Sequence, residues 1–437
     1  MKKEIKIAYT LFFIVVFGYL IRYELNIFLA HHLPPATYGD YSIAIKLLGI
    51  TIILALFGTR TGSNRFLARY LALNKKSTAN DYIAWNVKLI SVTFLVLFAV
   101  AAIAIFTMVL LHVLGIRHIS QYHLAVYMLW IAPFDALTFL LCSYLLISGH
   151  VFMSRIIGKE WRYLLELIFF VILFLLLHRN FHTMSIVAVL LTTSLVALIT
   201  TLLASNKEIL GMIQSGFKKI SYTRLSHEKW FPTSLKMIGS DLIYAIVNVI
   251  DLIIVALIVV DKAVVGHYAA VLMICGWIWL SAEHLYQLVI SKASHLLSSQ
   301  EGKVELQNMV DRTNKVVFLS TGVISMSIIY FSSTLLAYFG PSYTNARYAL
   351  IIMALGAFVE GIFHFSLLLL TYAGFERITL ILNAWELAMI ILLAVPATYF
   401  FGITGTAAAV AVVIVAQGIA GVYFVRKKIG MRSTLWF

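Results

Sequence analysis

The sequence predicts an all-α polytopic membrane protein with about twelve transmembrane helices, in two pseudo-symmetric six-helix bundles around a central cavity. Three observations carry this prediction. First, 62% of the 437 residues are hydrophobic and only 12% are charged, whereas soluble domains contain about 25% charged residues. Second, apolar runs of roughly 20 residues, enough to cross a bilayer core, recur along the chain. Third, the two halves of the chain resemble each other.

Hydropathy defines the predicted spans in order. The second is the weakest, because it contains Lys46. The first is predicted to be a retained span rather than a signal peptide, because its apolar run is long and carries Arg22 and Glu24. The predicted spans are 7–29, 40–59, 88–112, 122–147, 160–178, 183–204, 235–259, 264–290, 315–338, 346–371, 378–400 and 403–425.

Lys and Arg residues set the predicted orientation. Most of the 33 lie at span ends and loops on one side of the membrane, among them Arg155, Lys159 and Arg162. Such a bias marks the cytoplasmic side, so both termini are predicted to be cytoplasmic. The net charge of +14 then reflects topology, and no nucleic-acid partner is expected.

The longest polar stretch, about 205–229, separates the halves. Ile209, Ile213, Phe217 and Ile220 recur in it at helical spacing among lysines. The pattern indicates a basic amphipathic helix on the inner membrane surface or a solvated linker, and the two interpretations are compatible. The predicted organisation is an N-terminal lobe (1–205), a cytoplasmic basic amphipathic linker (206–234) and a C-terminal lobe (235–437).

An internal repeat relates the two lobes. Six spans in each lobe make the repeat parallel, an architecture of transporters whose substrate site lies between the halves. Short motifs and acidic residues coincide when the halves are aligned: Gly39 with Gly266, Glu24 with Asp251, and Asp135 with Glu360.

Charged side chains inside the predicted spans are the candidates for substrate binding. Each charge near a helix centre costs roughly 2.5–3.5 kcal/mol, so such residues usually have a function or a buried partner. Arg22 offers a rigid fork that fits phosphate. The predicted substrate-binding residues are Arg22, Glu24 and Lys46, with a neutralised pair or, for Lys46, snorkelling to the interface as the alternatives.

A second set is predicted to couple transport to an ion. Glu360 and His364 are four residues apart on one helical face, and His titrates near neutral pH, so the pair suits a proton relay. Static hydrogen bonds between helices are the alternative for every member. The predicted ion-coupling residues are Asp251, Asp135, Glu360 and His364; Glu166, Glu283, His284 and Glu386 are weaker candidates.

No motif of a soluble enzyme is present. The sequence contains no Gly-rich P-loop, HExxH or GxSxG, so neither ATP hydrolysis nor metallopeptidase or serine-hydrolase chemistry is predicted. Cys142 and Cys275 lie inside apolar runs, which argues against a disulfide or a Cys-ligated metal. The chain is predicted to be no enzyme and to need neither cofactor nor metal.

Several motifs together resemble a known family. They are Leu33-Pro34-Pro35-Ala36-Thr37-Tyr38-Gly39-Asp40-Tyr41, Asp251 followed by Val265-Gly266-His267-Tyr268, Tyr338-Phe339-Gly340-Pro341-Ser342-Tyr343, Gly402-Ile403-Thr404-Gly405-Thr406-Ala407-Ala408 and the basic Arg426-Lys427-Lys428-Ile429-Gly430. The sequence resembles the polysaccharide (O-antigen-type) flippases of the multidrug/oligosaccharidyl-lipid/polysaccharide (MOP) exporter superfamily.

The resemblance implies alternating access in a bacterial inner membrane. The expected cargo is an oligosaccharide on an isoprenoid pyrophosphate, moved by a monomer among membrane lipids with H+ or Na+ as the coupling ion. Cavity arginines hold the substrate in relatives that flip the peptidoglycan precursor, and Arg22 lies in the matching span. The alternatives are a drug or cation antiporter of the same fold and, with less support, a membrane glycan polymerase, which usually carries a large periplasmic loop.

Overall fold

The computed structural model describes most of the chain, and its elements are helices. The described residues are 2–113, 123–177, 183–205, 207–219, 224–225, 227, 229–297 and 300–435. No strand occurs among them. The predicted all-α, multi-pass fold class is confirmed.

The first half of the chain contains nine helices within the described residues, with a single π-helical turn between α6 and α7. Two longer helices precede each short one in this half. The elements are α1 (Lys2–His32), α2 (Pro35–Leu56), α3 (Thr59–Ala72), α4 (Lys76–Val113), α5 (His123–Ile147), α6 (Val151–Arg155), the π turn (Ile156–Glu160), α7 (Trp161–Leu177), α8 (Thr183–Ala204) and α9 (Lys207–Lys219).

The second half contains six helices among the described residues and one 3-10 turn. It begins at Trp230, inside the predicted linker. The elements are α10 (Trp230–Ile258), α11 (Ala263–Leu296), α12 (Gln300–Tyr330), α13 (Ser332–Ala337), the 3-10 turn (Pro341–Ala346), α14 (Arg347–Tyr372) and α15 (Glu376–Ile429).

Ten helices within the described residues are long and apolar enough to cross a membrane. Two features reconcile this number with the twelve predicted spans. The helix α7 has 17 residues and is strongly apolar, so it is nearly long enough to span. The 54-residue α15 is interrupted at Gly402, whose backbone has φ 60° and ψ −147°. Only glycine adopts this conformation without strain, and the interruption falls between the two predicted final spans.

The chain divides into two compact units. The N-terminal unit comprises Tyr9–Leu25 and Asp40–Ala245, and the C-terminal unit comprises Met1–Ala8, Asn26–Gly39 and Ile246–Phe437. Their borders fall within α1, α2 and α10 rather than in loops. The predicted lobes (1–205 and 235–437) and the linker between them remain predictions.

The predicted amphipathic helix corresponds to α9, within the N-terminal unit. Ile209 is fully buried, and Gly216 lies against Ile83 and Ala84 of α4. Phe217 remains 57% exposed, so the helix keeps an apolar face for the membrane surface. Ile220 lies outside the described residues.

Two glycines that the repeat aligns meet in the C-terminal unit. A Cβ on Gly39 would lie 2.8 Å from the backbone nitrogen of Gly266, and a Cβ on Gly266 would overlap the carbonyl oxygen of Pro35. The start of α2 and the start of α11 therefore pack backbone against backbone, and this contact requires both residues to lack a side chain.

Candidate functional site

Arg22 lies on α1 with a partly buried side chain. Its guanidinium carbon is 5.4 Å from the ring centroid of Tyr163 on α7, a distance at which a cation is attracted to an aromatic face. Glu24 is exposed. It lies two residues after Arg22, and residues at this spacing do not share a helical face. The structure thus separates these two predicted substrate-binding residues.

Glu160 ends the π turn that leads into α7, and its side chain is buried. Single π turns are frequent at functional sites. The carboxylate fills the notch above Gly18, where an added Cβ would overlap Glu160 Oε2. Gly18 and Arg22 share a face of α1, as Glu160 and Tyr163 share a face near the start of α7. The helix α1 therefore meets the segment at the start of α7 at two points, Gly18 against Glu160 and Arg22 against Tyr163.

Three cations interact with the Glu160 carboxylate. Arg155 Nη2 lies 3.3 Å from Glu160 Oε1, and Lys159 and Arg22 also interact electrostatically with this carboxylate. Arg155 Nε is buried and has no hydrogen-bond partner within the part of the chain that the structure describes. We call Gly18, Arg22, Arg155, Lys159, Glu160 and Tyr163 the Arg22 cluster. Arg22 also interacts electrostatically with Glu166, and even with that carboxylate included the positive charge exceeds the negative, as an anionic ligand requires.

A second ionic group lies deeper in the N-terminal unit. Asp135 on α5 is 1% exposed, and its Oδ2 lies 3.2 Å from Arg162 Nη2. Arg162 also interacts with Glu166, one turn further along α7. The hydroxyl of Tyr41 donates a hydrogen bond to Glu166 Oε1. We call Asp135, Arg162 and Glu166 the Arg162 triad; it holds two carboxylates and one guanidinium.

The Arg162 triad is incompletely hydrogen-bonded by protein. Among the described residues, Arg162 Nη2 and the buried hydroxyl of Thr193 have no well-aligned hydrogen bond. The Ser194 hydroxyl interacts with Asp135, but without the geometry of a well-aligned hydrogen bond. Buried polar atoms of this kind usually bind ordered water. Water beside a buried acid gives a proton a route to and from it, which suits the predicted role of Asp135.

Lys46 lies on α2 in the N-terminal unit, with a partly buried side chain. It therefore adds a cation to the unit that holds Arg22. The substrate-binding roles predicted for Arg22, Glu24 and Lys46 remain predictions.

Asp251 joins two helices of the C-terminal unit. It is 6% exposed, and its Oδ2 accepts a hydrogen bond of 3.1 Å from the hydroxyl of Tyr268 on α11. Its Oδ1 accepts the backbone N–H of Leu252. This is the helix–helix hydrogen bond that the sequence analysis gave as the alternative to ion coupling.

Two further acids of the C-terminal unit receive neutral donors. Trp279 Nε1 donates to Glu360 Oε2. Gln417 Nε2 donates to Glu386 Oε2 at 2.7 Å and to Asn383 Oδ1 at 3.0 Å. Glu360 and Glu386 also interact electrostatically with each other. Two carboxylates that repel each other are costly to keep charged, so the pair favours the uptake of a proton or another cation.

His364 interacts electrostatically with Glu283 of α11, and its ring lies 6.4 Å from that of Tyr286. Glu360 instead contacts Trp279. The structure thus gives the members of the predicted relay pair different partners, although both belong to the C-terminal unit.

Solved structures match this architecture over nearly its whole length. A multidrug resistance MATE family transporter of the MOP superfamily, in an inward-facing conformation, matches 94% of this chain and 94% of its own at 14% identity, with a TM-score of 0.72. The lipid II flippase MurJ, in an inward closed conformation, matches 95% of this chain and 87% of its own at 15% identity, with a TM-score of 0.69. The chain has the MATE and MurJ fold. The Vibrio cholerae MATE transporter VcmN is also similar, at 14% identity over 97% of this chain and 96% of its own, with a TM-score of 0.63.

Neither a protein-family model nor a curated protein matches the chain. The identities to the MATE and MurJ structures are low, so the likeness concerns the fold. These neighbours are transporters and a flippase rather than enzymes.

Sequence reasoning missed several members of both clusters in this MATE and MurJ fold. It assigned Arg155, Lys159 and Arg162 to the cytoplasmic charge bias, and it gave Glu160 no role. One signal was present: Arg162 and Glu166 are four residues apart on an otherwise apolar helix, which indicates a shared face. The contact between Glu160 and Gly18 left no comparable signal, because it joins helices that are distant in sequence.

Proposed function

We propose that this protein is a flippase that moves a lipid-linked oligosaccharide, carried on an isoprenoid pyrophosphate, from the cytoplasmic to the outer leaflet by alternating access. It works in a bacterial inner membrane, as a monomer with both termini in the cytoplasm. The observation that carries the proposal is the Arg22 cluster, where three cations interact with one carboxylate. A solved structure of the same fold is named a lipid II flippase.

The chemistry of the substrate explains why such a cluster is needed. A sugar diphosphate loses its hydration when it leaves water, and hydrocarbon offers no replacement. Arg guanidinium groups replace the lost hydrogen bonds with paired, charge-assisted ones to phosphate oxygens. Arg22 is the primary contact in this proposal, and Lys46 and Glu24 contact the sugar head group.

Net transport of the substrate in one direction requires an energy source, and the sequence contains no nucleotide-binding motif. We assign coupling to the buried acids Asp135, Glu360 and Asp251 together with His364, which take up H+ or Na+. One charge that crosses 100 mV contributes about 2.3 kcal/mol, which is comparable to a tenfold to hundredfold concentration ratio.

A MATE-like drug or cation antiporter is the second candidate. The paired acids Glu360 and Glu386 favour it, because their hydrogen bonds come from Trp279 and Gln417 and a cationic ligand would complete the pair. A glycan polymerase has less support, since no large loop that would carry its active site is present in the sequence.

Deletion of the gene from its host distinguishes these functions. The flippase proposal predicts that the lipid-linked oligosaccharide accumulates on the cytoplasmic leaflet while susceptibility to cationic drugs stays unchanged. Complementation with the intact gene should reverse the accumulation. Increased drug susceptibility with normal glycan export would instead establish the antiporter, and export of shortened glycans would establish the polymerase.

Replacing Glu360 with glutamine is expected to uncouple transport. In proteoliposomes, a pH step of one unit supplies about 1.4 kcal/mol per proton, which changes the steady-state leaflet ratio of the substrate about tenfold. The Glu360→Gln variant should still equilibrate the substrate between the two leaflets, but its leaflet ratio should not respond to the pH step. The reason is that glutamine can neither take up nor release a proton. Glu305→Gln, at an exposed position on α12, serves as the control. An unchanged response in Glu360→Gln would exclude Glu360 from proton coupling.

A further inference from the structure

We propose that Glu160 is an internal counter-anion. It pairs with the cations of the Arg22 cluster when no substrate is bound, and the substrate's phosphate groups take its place when substrate binds. This inference rests on the proposed function and adds to it a residue that determines which anions the cluster accepts.

The position of Glu160 supports an exchangeable contact. Its carboxylate makes an ion pair with Arg155 at 3.3 Å, but the side chain of Arg155 remains 34% exposed while that of Glu160 is 9% exposed. Arg155 and the exposed Lys159 are therefore reachable by a ligand, whereas the carboxylate packs against Gly18. Arg155 Nε, buried and without a described hydrogen-bond partner, is a donor that Glu160 leaves unused.

Charge explains why exchange favours a diphosphate. A carboxylate contributes one negative charge and two acceptor oxygens to three cations. A diphosphate contributes more of both, so it satisfies donors that Glu160 cannot reach. A small monovalent anion would gain no charge over Glu160 and would have to displace it, so Glu160 discriminates against the chloride and carboxylates of the cell.

An internal counter-anion also matters for the transporter when no substrate is bound. Partly buried cations that lack a nearby counter-charge repel one another, so without Glu160 the substrate-free cluster would attract a cellular anion. Glu160 supplies the missing charge from within the protein. The substrate-free form can then change conformation without carrying an anion back.

Two probes test this directly in purified, detergent-solubilised full-length protein. Inorganic pyrophosphate reports recognition of the diphosphate alone, and farnesyl diphosphate reports the same group on an isoprenoid chain. Isothermal titration calorimetry gives Kd for each probe with the wild type, Glu160→Gln and Arg155→Gln. Asp81→Asn is the matched control, because it also removes one acid from an ion pair in the same unit, with Lys219 at 2.7 Å.

Glu160→Gln is expected to bind both probes about tenfold tighter than the wild type, the factor for removing one competing charged contact. Arg155→Gln should bind both more weakly, and Asp81→Asn should match the wild type. Chloride should compete with farnesyl diphosphate in Glu160→Gln at concentrations that leave the wild type unaffected.

Gly18→Ala provides an independent variant that keeps every charge. Its methyl group would occupy the notch that the Glu160 carboxylate fills, so it should displace the carboxylate and also tighten probe binding. Gel filtration and circular dichroism establish that each variant is folded before titration. If Gly18→Ala is not folded, Glu160→Gln alone decides the test.

The inference is overturned if folded Glu160→Gln binds farnesyl diphosphate no more tightly than Asp81→Asn does. Binding of inorganic pyrophosphate without farnesyl diphosphate would also overturn it, because the ligand would then be a free anion. Either result leaves the proposed function standing if the wild type still flips a lipid-linked oligosaccharide in proteoliposomes. Absence of that flipping would refute the proposed function itself.

Discussion

Cells that carry Arg22→Gln are expected to lose glycan export, with a decrease of about tenfold to a hundredfold at equal protein levels. A charge-assisted hydrogen-bond pair to phosphate contributes roughly 1.5–3 kcal/mol, and a difference of 1.4 kcal/mol is tenfold in an equilibrium constant. The guanidinium packs against Tyr163 at 5.4 Å and is presented on one face of α1 with Gly18. The measurement is surface glycan per cell, normalised to the amount of the protein in the membrane.

Two variants control this experiment. Arg65→Gln removes the same charge from an exposed position on α3 and should export normally. Arg22→Lys keeps the charge but loses the planar fork, so export should be intermediate. Normal export by Arg22→Gln would remove Arg22 from the substrate site.

The largest effect on stability is expected at the Arg162 triad. Arg162→Met removes the cation that interacts most strongly with the buried carboxylates of Asp135 and Glu166, and removing one partner of a buried ion pair costs about 3–5 kcal/mol. The midpoint of thermal unfolding in detergent, followed by intrinsic fluorescence, should fall well below that of the wild type. The yield of monodisperse protein should fall with it.

Neutralising the carboxylates at the same time should restore much of the lost stability. The combined variant Asp135→Asn, Arg162→Met and Glu166→Gln removes the uncompensated charges and retains similar volumes, and such replacements are often nearly neutral. If the Arg162→Met variant unfolds at the same temperature as the wild type, the expectation is wrong. Water would then stabilise the two carboxylates without a cation.

Much of the fold could be predicted from the sequence, because its causes are local or periodic. A membrane span is determined by a run of apolar residues, so the predicted and observed helices agree closely for α5, α8 and α14. Gly402 marks the break in α15 because only glycine tolerates its conformation. The paired Gly39 and Gly266 were visible as a repeat, although their direct contact was not.

The site could be predicted only in part, because its contacts join distant segments. Arg22 and Asp135 were recognisable as ionic residues inside apolar runs. Their partners Glu160 and Arg162 lie near the start of α7, where sequence alone could not separate a buried charge from a cytoplasmic one. The hydrogen bond between Asp251 and Tyr268 is a further contact of this kind, because it joins two helices and left no signal in the sequence.

The most direct test of the account is head-group translocation by the purified protein. Proteoliposomes are loaded with a fluorescent oligosaccharide on an isoprenoid diphosphate, or with the same oligosaccharide on an uncharged lipid, and outer-leaflet fluorescence is quenched with dithionite. We predict protein-dependent movement of the diphosphate-linked oligosaccharide and little movement of the uncharged one. Equal movement of both, or of neither, would contradict the claim that the cationic cluster of the N-terminal unit carries an anionic head group across the membrane.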